Sequence, residues 1–145
     1  MQKQHKDFKM AFLAFHLLNV NFRVNEKISL NAKKGIPITS SIGIRHKYEK
    51  KSKVLHVFLK VEIKDDNMPF NLYVEGKGVF KFKEAPDESV LRNASEMNCP
   101  AIIFPYIRET IADMTRRAGF APLHLNPVNF VALSHQKSNK THRAE

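Results

Sequence analysis

The 145-residue chain has no tryptophan and a single cysteine, Cys99. One thiol excludes an intrachain disulfide, so the fold must rest on its apolar core, and such usage suits a reducing compartment and predicts a cytoplasmic protein. Long apolar runs are also missing: the longest are Met10 to Phe15 and Cys99 to Ile107, far short of the roughly 18 residues of a membrane-spanning helix. No membrane insertion is expected. Lys3, Lys6 and Lys9 precede the apolar stretch Met10 to Leu18 as in a signal peptide, but His16 interrupts it and no small-x-small cleavage site follows, so no cleaved leader is expected. Acidic side chains are scarce, 14 against 24 Lys and Arg, for a formal net charge of +10. Residues 1–60 hold 13 basic and 3 acidic side chains and residues 61–145 hold 11 of each, so the excess belongs to the first 60. This asymmetry fits a nucleic-acid surface, an acidic partner, an anionic membrane, or a lysine-rich solvated face.

With 43% apolar residues the chain is globular, and its length suits one domain over residues 1–145. Residues 1–8 and 134–145 are expected to be flexible. Leu18, Val20, Phe22 and Val24 alternate with polar residues as in a strand with one buried face. Met10 to Leu17 is apolar at nearly every position, as in a strand covered on both sides. Residues 25–38, with Gly35 and Pro37, read as a long connection. Three further alternating runs follow: Ile42 to Tyr48, Leu55 to Ile63 and Phe70 to Phe82, joined by links short enough for hairpins. Four strands in a row result. Asp87 then reads as an N-cap, and Asn98 as a second helix start before Ile103, Ile107, Ile111, Met114 and Ala118. Pro105 should kink that helix, and Gly119 is a fitting C′ residue. Asn126 and Pro127 open a short last helix with Val128, Phe130, Val131 and Leu133.

Chemistry is sparse. The seven histidines have no ligand spacing, and His46 and His56, though able to meet across a hairpin, read as surface or packing residues rather than ligands. Cys99 before Pro100 reads as a small buried hydrophobe rather than a nucleophile. Gly76-Lys77-Gly78 sits within a strand with no helix after it, which suits close approach of a helix rather than a phosphate loop. No paired carboxylates and no Ser-His-Asp set stand out. Neither an enzyme nor a cofactor is expected.

The most specific signal is Cys99-Pro100-Ala101-Ile102-Ile103-Phe104-Pro105-Tyr106-Ile107-Arg108-Glu109, followed by Gly119-Phe120-Ala121-Pro122-Leu123-His124-Leu125-Asn126-Pro127-Val128-Asn129-Phe130-Val131-Ala132-Leu133. These two stretches, in this order and spacing, closely resemble the SecB family of protein-export chaperones. The likeness is sharpest over residues 98–133, and Phe70 to Phe82 with its glycine pair looks like the family's last strand. The resemblance implies an α+β fold: a four-stranded antiparallel sheet with a long crossover after strand 1, a long helix and a short C-terminal helix. It also implies ATP-independent holding of unfolded precursor proteins in apolar grooves, and a homodimer or a homotetramer built as a dimer of dimers.

Carried onto this sequence, the resemblance nominates Ile36, Ile38, Leu123, Leu125, Val128, Phe130 and Leu133 for the peptide-binding groove. Phe12, Ala14, Phe15, Ile107, Ile111 and Met114 are nominated for the oligomer interface. Phe104 and Tyr106 are expected in the core or an interface, Tyr106 with a hydrogen-bond partner for its phenol. Family members that deliver to SecA present an acidic outer sheet face, whereas here Arg23, Arg45, Lys47, Lys60, Lys64, Lys77 and Lys81 alternate outward against Glu49, Glu62 and Glu75. That basic face argues against SecA as acceptor and leaves room for a SecB-like chaperone dedicated to an antitoxin. A nucleic-acid-binding module on the same fold is the other reading, with Phe80-Lys81-Phe82-Lys83 as a stacking strip.

Overall fold

A computed structural model describes residues 9–28 and 39–143, with side chains to residue 136. Four strands, β1 (Met10–Val24), β2 (Ser40–Glu49), β3 (Val54–Ile63) and β4 (Phe70–Phe82), form one sheet in the order β1-β4-β3-β2. Every neighbouring pair is antiparallel, and the two short links are hairpins as expected. β1 and β2 lie on opposite edges of the sheet.

Alternation decides which face is buried. Leu55, Val57, Leu59, Val61 and Ile63 of β3 and Leu72, Val74, Phe80 and Phe82 of β4 all point to one face and are buried there. Each such side chain contributes about 1.5–3 kcal/mol relative to exposure. β1 obeys the rule with two interruptions, because its pairing with β4 shifts register between Phe12 and Ala14 and again between Leu17 and Asn19. The extra residues are Leu13 and Leu18, both exposed. Within one chain the apolar run is covered on one face: each bulge resets the phase, so that Phe12, Phe15, Leu17, Val20 and Phe22 share the inner face. Leu18, expected inward, is displaced by the second bulge.

The helical layer covers this inner face. Asp87 caps α1 (Glu88–Asn93) as expected, its Oδ1 accepting from the Val90 N–H at 2.8 Å. Asn98 stands immediately before α2, as expected, but does not cap it. A π-helical turn, Ala94–Asn98, joins α1 directly to α2 (Cys99–Arg117), and Asn98 has helical dihedrals and no side-chain cap bond. The Cys99 N–H donates to the Ala94 carbonyl, and Pro100, with no N–H to donate, falls at the transition. Pro105 lies within α2.

The Ile103, Ile107 and Ile111 stripe of α2 seats on the sheet over Gly76 and Gly78. A Cβ at Gly78 would stand 2.7 Å from Ile103 Cδ1, and one at Gly76 would stand 2.9 Å from Ile107 Cδ1 and 2.5 Å from the Phe15 ring. The glycine pair thus gives the helix its close approach. α2 ends in a Schellman motif, with Gly119 at φ +91°, its N–H on the Arg116 carbonyl and the Phe120 N–H on the Thr115 carbonyl.

The last helix, α3 (Phe130–Arg143), starts later and runs further than the pattern predicts. Its cap is Asn129, not Asn126: Asn129 Oδ1 accepts from the Ala132 N–H at 3.1 Å. The polar segment expected to fray from residue 134 continues the helix to Arg143. Residues 1–8, expected to be flexible, lie outside the described residues.

Candidate functional site

Between the end of α2 and the start of α3 the chain runs extended, and Thr115 anchors it. Its side chain is wholly buried, and Oγ1 donates to the Ile111 carbonyl at 2.9 Å while accepting from the Leu123 N–H at 2.9 Å. Phe120 stacks near Phe70, centroids 5.4 Å apart. At the far end Ser134 Oγ donates to Glu96 Oε2 at 2.8 Å, tying α3 to the π turn.

Held at both ends, this segment walls a cleft of about 390 Å³ against the free edge of the sheet. Leu123, Leu125 and Val128 line it from one side, Ser40 and Ile42 of β2 from the other, and Phe104 from α2. Three of the seven nominated groove residues are thus brought together. Phe130 is not among the lining residues: it is buried behind the cleft, its ring edge-on to Phe104 at 5.8 Å. Leu133 packs half-buried against the same core. Ile36 and Ile38 lie outside the described residues. Sequence reasoning missed Ile42 and Phe104 as cleft residues. Ile42 carries no local signal for that role, because it reaches the cleft only as an inward residue of an edge strand.

A second cleft of about 490 Å³ lies between β1 and α2, lined by Leu17, Thr110, Met114, Pro122 and His124 among others. Alongside it runs an exposed apolar strip. Phe12, Leu13, Leu17 and Leu18 of β1 and Ile102 and Tyr106 of α2 are each 37–54% accessible. The Tyr106 ring stacks on Phe15 at 4.8 Å and approaches Phe12 at 5.9 Å. Tyr106 is therefore outside the core of the single chain, which leaves the interface half of its expectation. Ala14 is half-buried on the outer face opposite Val79, and Met114 is half-buried. Ile107 and Ile111 are corrected here: both are 0% accessible within one chain. They form the stripe that seats on the sheet and have no surface left for a partner.

The outer sheet face is basic, as the alternation predicts. Arg45, Phe58, Lys77 and His16 form one row across all four strands, with Lys60 and Glu75 in the adjacent row. The Arg45 guanidinium lies 3.6 Å from the Phe58 ring centroid and 3.9 Å from Glu75 Oε1. Tyr73 Oη donates to Glu75 at 3.1 Å, and burial first, then that carboxylate, raise the phenol's pKa. The Phe80 to Lys83 strip fails as a stacking platform because Phe80 and Phe82 are buried on the opposite face. His46 and His56 also point to opposite faces, since their pairing partners in the hairpin are Val57 and Lys47. Burial pushes the Cys99 thiol up to about 12, which removes it as a nucleophile at neutral pH. No helix among the described residues is long and apolar enough to cross a membrane.

Comparison with known proteins agrees with this architecture. A family model described as preprotein translocase subunit SecB matches residues 17–141. The protein-export protein SecB of Nitrosospira multiformis is 41% identical over 88 residues, 61% of this chain and 54% of that protein. That of Nitrosomonas europaea is 44% identical over 75 residues, 52% and 46% of the two chains. A SecB-like chaperone of Mycobacterium tuberculosis, solved with a ChAD peptide from an antitoxin, shares the fold at a TM-score of 0.66 and 17% identity. That match covers 82% of this chain and 90% of the other. The chain spans about half the length of the curated relatives it matches.

Proposed function

The chain belongs to the SecB family, and on that premise we propose that it is a cytoplasmic, ATP-independent holding chaperone that receives apolar side chains of unfolded polypeptides in the cleft between β2 and the segment before α3. The observation that carries this reading is the cleft itself, where Ile42, Leu123, Leu125, Val128 and Phe104 alternate with the polar Ser40, His124 and Asn126 beside an open strand edge. Seating one or two large side chains there contributes about 2–6 kcal/mol. Association alone costs about 4 kcal/mol or more, so a single cleft binds weakly and useful affinity comes from several clefts engaging one client. No step of this activity needs a catalytic group or a cofactor.

The repetition is supplied by oligomers. Phe12, Leu13, Leu17 and Leu18 are exposed on the edge strand β1 and Ile102 and Tyr106 on α2, which suits pairing of copies into a dimer and of dimers into a tetramer. Phe12, Phe15 and Met114 belong to that surface, while Ile107 and Ile111 support it from beneath. The basic outer face disfavours an acceptor that docks through basic groups, SecA included. An acidic acceptor or a dedicated client, such as the antitoxin peptide held by the mycobacterial protein, suits it better.

The test is light scattering of a chemically unfolded client diluted with and without the protein, alongside its mass in solution. Suppression of aggregation is expected, with loss of suppression in Ile42→Glu and Val128→Glu variants that keep native circular dichroism. Full suppression by both folded variants would remove the cleft from the mechanism.

A further inference from the structure

At the end of the sheet remote from the cleft beside β2, five lysines surround one concavity. Lys9 precedes β1, Lys51 and Lys53 lie in the β2–β3 turn, and Lys81 and Lys83 lie at the end of β4. The concavity holds about 670 Å³, and the remaining lining is Met10, Ala11, Ser52 and Phe82. Main-chain bonds clip the three segments together: the Phe82 N–H donates to the Lys53 carbonyl and the Lys83 N–H to the Lys9 carbonyl, both at 2.9 Å. Lys53 takes the left-handed conformation, φ +59°, uncommon without glycine, and its Nζ reaches the Lys83 carbonyl at 3.4 Å.

None of the five lysines forms an ion pair among the described residues. The nearby carboxylate, Glu49, is engaged elsewhere: it accepts from Ser52 Oγ at 3.1 Å and lies 3.5 Å from His56 Nε2. Glu84 follows Lys83 in the chain but does not line the concavity. Five like charges around one concavity, with no counter-charge among the described residues, raise the free energy of the empty fold and lower that of an anion entering it.

The chemistry of the anion follows from size and from what is missing. The concavity is about 9 Å across, the cube root of its volume. An extended acidic peptide advances about 3.3 Å per residue with side chains alternating, so it brings about two carboxylates to one side of that span and leaves most lysines uncompensated. Phosphoryl groups carry more: a terminal one holds about −1.5 to −2 charges and three acceptor oxygens. Lysine ammoniums serve phosphate as point charges, whereas a planar carboxylate reader would use arginine, and none lines the site. Phe82 is buried, so no aromatic face is open for a base.

We propose that this lysine-lined concavity binds a compact oligophosphate through its phosphates alone, independently of the holding activity. Inorganic oligophosphate and the phosphates of a nucleoside triphosphate share this chemistry.

Calorimetric titration of the full chain with tripolyphosphate, at about 50 and 200 mM salt, tests the proposal. One ligand per chain is expected, weaker at the higher salt, with inorganic phosphate much weaker. A nucleoside triphosphate is expected to match tripolyphosphate if only phosphates are read, and tighter binding of the nucleotide would overturn recognition by phosphates alone. The triple variant Lys51→Gln, Lys53→Gln, Lys83→Gln is expected to bind at least tenfold more weakly. The control Lys47→Gln, Lys60→Gln, Lys77→Gln removes the same charge from the outer sheet face and is expected to stay within about twofold. Should the first triple variant fail to fold, Lys51→Gln alone, an exposed turn position, must still weaken binding about threefold. Equal weakening by the two triple variants, tighter binding of an acidic peptide or single-stranded oligonucleotide of equal charge, or no saturable binding at low salt would each overturn the proposal.

Discussion

Removing one hydroxyl should loosen the wall of the cleft beside β2. Thr115 is buried in α2, and its Oγ1 is the hydrogen-bond acceptor of the Leu123 N–H at 2.9 Å. In Thr115→Val the shape is nearly kept, but that partly buried N–H loses its partner, at about 1–3 kcal/mol. The Oγ1 bonds to the Ile111 and Ala112 carbonyls are additional to the helix ladder, so their loss adds little. The extra methyl returns less than about 0.8 kcal/mol. The net loss is about 1–2 kcal/mol, or about 3–6 °C in Tm for a chain of this size. Urea unfolding measures the loss, and amide exchange locates it: the Leu123 N–H should exchange at least tenfold faster while the amides of β3 lose protection only in step with global stability. Thr115→Ser keeps the oxygen and should keep the Leu123 protection despite losing a methyl. If Thr115→Val leaves the Leu123 exchange rate unchanged relative to β3, the hydroxyl does not hold the wall.

Gly78→Ala pushes a methyl to 2.7 Å from Ile103, and should cost about 1–3 kcal/mol by overpacking, measured by urea unfolding; no loss would mean that α2 does not sit as closely as described. The Tyr48 Oη is buried with no hydrogen-bond partner among the described residues, so Tyr48→Phe should be neutral or stabilising by up to about 1–2 kcal/mol, and a clear loss would point to an unrecognised partner. With its thiol pushed from 9.0 up to about 12, Cys99 should resist iodoacetamide at pH 8 in the native protein and react in urea. Between those two values the native state holds the proton that the unfolded chain releases, so stability should fall as pH rises above about 9, and Cys99→Ala should flatten that fall. A native alkylation rate equal to that in urea would refute the burial.

The fold was legible wherever one residue type has one physical use. Strict alternation in Leu55 to Ile63 marked β3, Asp87 marked a helix start, Gly119 marked its end, and Gly76 with Gly78 marked where a helix comes close. The failures share a cause, which is phase. The bulges at Leu13 and Leu18 each shift a period-two pattern by one residue, and an apolar run gives no sign of where the shift falls. The π turn does the same to a helix, and Asn98, a good cap by composition, is simply its last residue. Ile107 and Ile111 were nominated for an interface although their own spacing with Ile103 marks the core stripe, and one helix face cannot serve both.

The site was legible from the second half of the chain, where Leu123, Leu125 and Val128 stand in the resembling segment. Its other wall was not. Ile42 reaches the cleft only because β2 is an edge strand, and strand order is a property of the whole sheet rather than of any local pattern.

The π turn sets a rule for sequence change. An α-helix rotates about 100° per residue, so deleting one residue from Ala94–Asn98 would turn it into ordinary helix and swing everything before it by that angle relative to α2. Val90 and Leu91 would leave the core they pack against, and Glu96 would lose its place opposite Ser134. Side chains along this stretch are free to drift as their surroundings permit, but the number of residues is not: the spacing between Asp87 and Cys99 is the inherited quantity, and a one-residue deletion here should be rarer among functioning descendants than almost any substitution.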